Sequence, residues 1–194
     1  MADNKRFILI AITPEFPVAD ECAKIEAIIL AGWDRVHLRH PQFEEDDMRS
    51  LLRVIPVELL SHVSLHSCPV AAVELGAGGV HLNSRLSALP NQWSGVVSRS
   101  CHSLEEVSMC VAGYDYVTLS PVFDSISKPG YSAREFGSVP QVPPVVALGG
   151  VTPESLPTLR ETGYAGAAML GAIPWTGSVS DVKEFATNTI SLLC

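Results

Sequence analysis

Nowhere does this 194-residue chain approach the run of about eighteen apolar residues that a membrane-spanning helix needs, so a bilayer is not its setting. It is also short of positive charge. Lys and Arg number 13 against 21 Asp and Glu, and the net charge of −8 argues against nucleic acid, whose phosphates need a basic surface. A small anion stays open as a ligand, because a few local cations and backbone amides suffice for it. Cysteines are few and irregularly placed: Cys22, Cys68, Cys101, Cys110 and Cys194 form no C-x-x-C pair. That argues against a zinc site and fits reduced thiols in a cytoplasm. The opening "MADNKRFILIAIT" has one short apolar run and no small-residue cleavage site, so it does not read as a signal peptide. G-x-S-x-G, Walker A and H-E-x-x-H are all missing.

What is there is alternation. The chain is 47% hydrophobic and 18% charged, enough to bury a full core, and residues 1–194 read as a single globular domain. β-Branched runs predict strands at Phe7–Ile12, Arg35–Leu38, Val63–His66, Gly79–Leu82, Val96–Ser100, Tyr116–Leu119, Val145–Leu148 and Gly166–Leu170. Helical periods fall at Ala19–Ala31, Glu44–Val54, Val70–Leu75, Leu104–Ala112, Pro153–Glu161 and Ser180–Leu192. Ser103 and Thr152 stand as helix caps, and Gly32, Gly76, Gly113 and Gly163 as helix-ending glycines. Eight strands alternating with helices predict an α/β fold: one compact (βα)₈ TIM barrel. "SALPNQW" leaves room for about one helical turn and "SVPQVPP" for none, so the fourth and sixth crossovers are shortened. A doubly wound open sheet is the alternative.

In such barrels chemistry collects at the C-terminal ends of the strands. Strand two ends in His37, Arg39 and His40, with His37 and Arg39 on one face and Leu38 on the other. Arg39 either grips an anion or pairs with a carboxylate. Strand three ends in His66 and Ser67; strand four carries His81, read as a hydrogen-bonded core group, and Asn83. Strand five offers Ser100 and His102, and the segment "LSPVFDSISKPGYS" after strand six offers Ser125, Ser127 and Lys128. Strands seven and eight end in "LGG" and "LGA", where Gly149, Gly150 and Gly171 precede helices and could let backbone amides meet a phosphate. No strand end presents an Asp or Glu pair suited to Mg²⁺, and no metal ligands are assigned.

Four segments in order, "GGVHLNS", "SRSCHSLEEV", "YDYVTLSPVFDSISKPG" and "VVALGGVTPESL", resemble the thiamine phosphate synthase superfamily, which includes the TenI thiazole tautomerases. The resemblance covers nearly the whole chain and implies a (βα)₈ barrel that binds a thiazole phosphate. It implies an anion-binding role for Arg39, ligand contacts from Ser100, Ser125, Ser127 and Lys128, and phosphate-holding amides at Gly149, Gly150 and Gly171. His37 replaces the synthase glutamine, as in TenI-type sequences, and Pro41 replaces a lysine. The Asn-Asp pair after strand three is His66-Ser67, and the aspartate after strand four falls near Leu86. The Mg²⁺ of the synthases, held by those aspartates, is therefore expected only if synthase activity is retained. The tautomerase histidine after strand six is Pro121 here, which leaves His37, His66 and His102 as candidates for proton transfer.

Three functions follow from the resemblance. The first is a TenI-like thiamine-biosynthesis enzyme moving a proton on a thiazole phosphate. The second is a thiamine phosphate synthase joining thiazole phosphate to hydroxymethylpyrimidine pyrophosphate. The third is a non-catalytic protein binding thiazole phosphate or thiamine phosphate. The resemblance also suggests a homo-oligomer.

Overall fold

In the computed structural model, which describes residues 6–124, 133–134 and 136–193, eight strands close into one all-parallel barrel in sequence order. They are β1 (Ile8–Ile12), β2 (Arg35–Leu38), β3 (Val63–Leu65), β4 (Gly79–Leu82), β5 (Val96–Cys101), β6 (Tyr116–Leu119), β7 (Val145–Ala147) and β8 (Gly166–Met169). β1 and β8 pair through Ile8–Gly166 to Ala11–Met169, which closes the ring and removes every sheet edge. Outside it lie α1 (Glu21–Leu30), α2 (Glu45–Val54), α3 (Pro69–Leu75), α4 (Leu104–Ser108), α5 (Leu156–Glu161) and α6 (Val179–Ser191). The barrel reading is correct and the open sheet is excluded. The fourth crossover, residues 83–95, holds no helix at all, and the described part of the sixth holds none either. A short 3₁₀ helix at Val57–His62 has no counterpart among the expected elements.

Helix ends follow local chemistry. Ser103 accepts a hydrogen bond from the Glu106 amide at 3.2 Å, and Thr152 forms a capping box with Ser155. Gly32, Gly76, Gly113 and Gly163 all take positive φ. Ser103→Ala should cost about 1 kcal/mol, since one first-turn amide loses its acceptor. Thermal unfolding then shifts down by about 2–4 °C.

Strand alternation divides the side chains into two populations. Outward residues such as Leu9, Val36, Leu65, Val80, Val117 and Ala167 join the helices in the main apolar core. Inside, Ile10, Ile12, Tyr116, Val146 and Ala168 form a small buried apolar cluster, with Ile8, Val96, Leu148 and Leu170 packed against it. Six further inward positions on β2 to β6 are polar and buried: Arg35, His37, Ser64, His81, Ser98 and Thr118. Such an interior is stable only if it is hydrogen-bonded. At its lower end Arg35 donates to Ser64 Oγ (3.2 Å) and to the Ser61 carbonyl (2.8 Å). Gly79 makes room for it, because a Cβ there would lie 2.2 Å from Ser64 Oγ and 3.0 Å from the guanidinium. Most barrels fill this space with branched apolar residues. Here half of it is a polar network leading upward to the strand ends.

Candidate active site at the mouth of the barrel

The strand ends open into a cavity of about 940 Å³. Three imidazoles from consecutive strands meet at its base: His37 on β2, His66 just after β3, and His81 on β4. His37 Nδ1 lies 2.9 Å from His66 Nε2, and His37 Nε2 lies 2.6 Å from the Tyr116 hydroxyl on the opposite side of the barrel. His81 is held at both nitrogens, by Ser98 Oγ and Ser100 Oγ, each at 2.8 Å. Ring centroids are 4.3 Å apart for His66–His81, and 5.0 Å for His37–His66 and for His37–His81.

Packing imidazoles this way keeps them neutral. Burial, then repulsion by His81 and by Arg35, holds His37 well below the ordinary histidine pKa. For His66 the causes are burial, then His81, His37 and Arg39; burial alone pushes His81 down to about 3. The linkage has a definite sign. Below pH ~6.5 the unfolded chain takes up protons that these folded imidazoles refuse, so stability is full above that pH and declines beneath it. Urea denaturation of metal-free protein should give a midpoint that falls from pH 6.5 to 5, above the range where exposed carboxylates titrate. A midpoint constant over that interval would mean the cluster is not neutral in the folded state.

The other expected site residues divide. Arg39 lines the cavity, and its guanidinium is only loosely paired, 3.8 Å from Glu15. His66, Ser100, His102, Gly149, Gly150 and Gly171 line the cavity as well. Ser100 spends its hydroxyl on His81, and His102 sits at the exposed rim with Nδ1 3.3 Å from the Ser120 carbonyl. Ser125, Ser127 and Lys128 lie outside the described residues.

Three placements differ from expectation. His37 does not line the cavity; it is fully buried behind His66 and reaches the mouth only through that ring. The glycines of "LGG" are required by chain packing. With φ of +93° and +65°, Gly149 and Gly150 lie against the chain after β6, where a Cβ would come within 2.9 Å of Pro121 Cα and 2.2 Å of the Asp124 carbonyl oxygen. Nor does a helix begin directly at Gly171, since α6 starts only at Val179. His40 is a structural group, fully buried, bonded to Glu21 at 2.9 Å and stacked on Phe43.

Sequence reasoning missed Tyr116, which anchors His37, and Thr118, whose buried hydroxyl at the cavity wall has no hydrogen-bond partner among the described residues. The alternation in "YVTL" put both inward, and that was the only signal. His81 was correctly read as satisfied, but it also floors the cavity.

The family model described as thiamine monophosphate synthase (TMP-TENI) matches residues 9–173, nearly all of the barrel just described. The chain belongs to this thiamine monophosphate synthase family. Among curated relatives, the thiamine-phosphate synthase of Levilactobacillus brevis is 31% identical over 138 residues, 64% of this chain and 62% of that protein. The thiamine-phosphate synthase of Latilactobacillus sakei is 30% identical over 53% of this chain and 51% of its own length. The chain thus spans between half and two thirds of these relatives. The synthase of Thermus thermophilus is 25% identical over 88% of this chain and 89% of its own. The crystal structure of thiamine phosphate pyrophosphorylase from Bacteroides thetaiotaomicron superposes with a TM-score of 0.78, at 27% identity, covering 96% of this chain and 97% of that one. Family members carry synthase names, while the site in this chain has a character of its own. Among the described residues its wall holds two carboxylates, Glu15 beside Arg39 and Glu106 bonded to the His102 amide, and no aspartate. No helix among the described residues is long and apolar enough to cross a membrane.

Proposed function

We propose that this chain is a TenI-like enzyme of thiamine biosynthesis that binds a thiazole phosphate in the barrel mouth and moves a proton on the ring. The observation that carries the reading is the hydrogen-bonded series Tyr116–His37–His66, which ends in a neutral imidazole at a cavity that also holds Arg39. A neutral imidazole has a lone pair to accept a proton, and a second nitrogen through which its neighbour sets the tautomer. Tyr116 and His37 thereby position His66. Its low proton affinity suits a group that must hand the proton back within the same turnover.

Arg39, with the amides at Gly149, Gly150 and the Gly171 strand end, supplies the grip on phosphate; Ser125, Ser127 and Lys128 are assigned to the same ligand. The orphan hydroxyl of Thr118 gives a polar ring atom a partner. His102 at the rim is the alternative acid.

Synthase chemistry is the second reading, favoured by the names of the relatives. A pyrophosphate leaving group needs its charge neutralised. The cavity wall offers Arg39, Arg85 and Arg99 for that; among the described residues its two carboxylates, Glu15 and Glu106, are engaged by Arg39 and the His102 amide, which leaves no free carboxylate pair for Mg²⁺. Binding without turnover is the third.

Calorimetry with the thiazole phosphate, and with the same thiazole as its free alcohol, tests the ligand assignment. The phosphate should bind and the alcohol should not, and Arg39→Gln should weaken binding by roughly 10–100-fold, as loss of one charge-assisted contact does. Equal binding of alcohol and phosphate would remove the assignment. Turnover of the carboxythiazole phosphate tautomer to the aromatic thiazole supports the first reading; thiamine phosphate from the two synthase substrates supports the second.

A further inference from the structure

We propose that His37, His66 and His81 form a binding site for one divalent transition-metal ion of the zinc class. The three rings come from consecutive strands, and one ligand atom from each lies within 4.8 Å of the others. His37 Nδ1 and His66 Nε2 are hydrogen-bonded to one another across 2.9 Å, and the ion takes the place of that hydrogen as the two nitrogens part to about 3.3 Å. Imidazole nitrogens held about 2.0–2.1 Å from a common ion put ring centroids roughly 5 Å apart at the tetrahedral angle. The His37–His66 and His37–His81 separations, both 5.0 Å, match that spacing, and the stacked His66 and His81 rings, 4.3 Å apart, tilt open to admit the ion.

Each ligand must be neutral, the form that burial favours at all three rings. The outer partners are also in place. Tyr116 occupies His37 Nε2, leaving Nδ1 for the ion; His81 is bonded at both nitrogens, so the ion displaces one serine hydroxyl and the other holds the ring's orientation. Histidine ligands almost always carry such second partners. Three protein ligands with a cavity on the remaining side is an open site, in which water or a ligand oxygen completes the coordination. Imidazole donors without a carboxylate select zinc, cobalt or nickel over magnesium. No local motif shows this site, because its members are spaced 29 and 15 residues apart along the chain.

The ion and the proton compete for the same lone pairs. In the metal-free protein His37 and His66 share one hydrogen between them; the ion takes its place, and that hydrogen moves to His37 Nε2, which then donates to the Tyr116 hydroxyl oxygen. Metal binding stands on this geometry alone. Its effect on turnover rests on the proton-transfer reading, which makes zinc an inhibitor.

Tagless protein stripped with chelator is titrated with Zn²⁺ by calorimetry and with Co²⁺ by visible absorption. One equivalent is expected, with Co²⁺ ligand-field bands and no response to Mg²⁺ at the same concentration. His66→Gln and His81→Asn, checked for folding by circular dichroism, should each weaken Zn²⁺ binding by about 100-fold. His62→Ala and His102→Ala, both outside the cluster, should leave it unchanged. X-ray absorption of the zinc-loaded native chain should show three imidazoles at ~2.0–2.1 Å and no sulfur, a readout that needs no variant. Absence of a saturable equivalent, loss of binding in His62→Ala or His102→Ala, or sulfur in the first shell each overturns the site. If zinc binds but leaves turnover untouched, the site stands and the proton-transfer reading falls.

Discussion

His66→Ala is expected to lower turnover of the carboxythiazole phosphate tautomer by about 10²–10⁴-fold, the usual contribution of a positioned acid–base group. KM for the phosphate ligand should stay close to that of the native protein, because Arg39 and the glycine strand ends lie on other loops. Folding is not at risk to the same degree. His66 is half-buried at the cavity, so water can replace the ring and satisfy the exposed His37 Nδ1. Tyr116→Phe makes a graded companion. It removes the 2.6 Å contact that sets the His37 tautomer while keeping the ring in place. It should reduce kcat by less than His66→Ala and shift the pH profile, a change that a merely structural role would not produce. Turnover unchanged in His66→Ala would transfer the chemistry to His102.

Gly150→Ala should destabilise the fold by about 3 kcal/mol, combining left-handed backbone strain with a backbone clash. At φ +65° any side chain is strained, and the added Cβ would sit 2.2 Å from the Asp124 carbonyl and 2.7 Å from Phe123 Cβ. Neither is the free end of a flexible side chain, so the segment after β6 must shift. Phe123 would then lose its amide bond to the Gly149 carbonyl, now 2.9 Å. A melting temperature lower by about 6–12 °C is expected for a chain of this size. Gly76→Ala separates the two causes. It has φ +71° with nothing within 4 Å, so it carries the conformational cost alone, about 1–2 kcal/mol. Equal losses in the two variants would show that Gly150 is not there to admit the neighbouring chain. Thiazole phosphate affinity should fall in Gly150→Ala only, because Gly149 and Gly150 line the cavity and Gly76 does not.

Most of the barrel was legible because its strands are short, buried on the helix side and punctuated by glycine. The limits inferred for β2, β4 and β6 are the observed ones, and those of the other five strands differ by one residue at one end, as for β3, which stops at Leu65 before His66. Depth inside the barrel was not legible. Alternation puts His37 and Arg39 on the same face, yet one is sealed in the interior and the other lines the cavity. The contact that gives His37 its role joins β2 to β6 across 79 residues, and no local period encodes it. The glycines after β7 were found for one reason and are required by another. A glycine reports close approach without naming what approaches, and here it is Pro121 and Asp124 of the same chain. The three-histidine cluster was in view as separate strand ends, and only closure of the ring brings those ends together.

The most direct test is a single reaction mixture holding the carboxythiazole phosphate tautomer, hydroxymethylpyrimidine pyrophosphate and Mg²⁺, followed by NMR for the two isobaric thiazole tautomers and by mass spectrometry for thiamine phosphate, with and without EDTA. The account predicts that aromatic thiazole phosphate accumulates in both, at a rate that EDTA leaves unchanged or raises, and that thiamine phosphate does not form. Thiamine phosphate appearing only where Mg²⁺ is free, with no independent aromatisation of the tautomer, would contradict it.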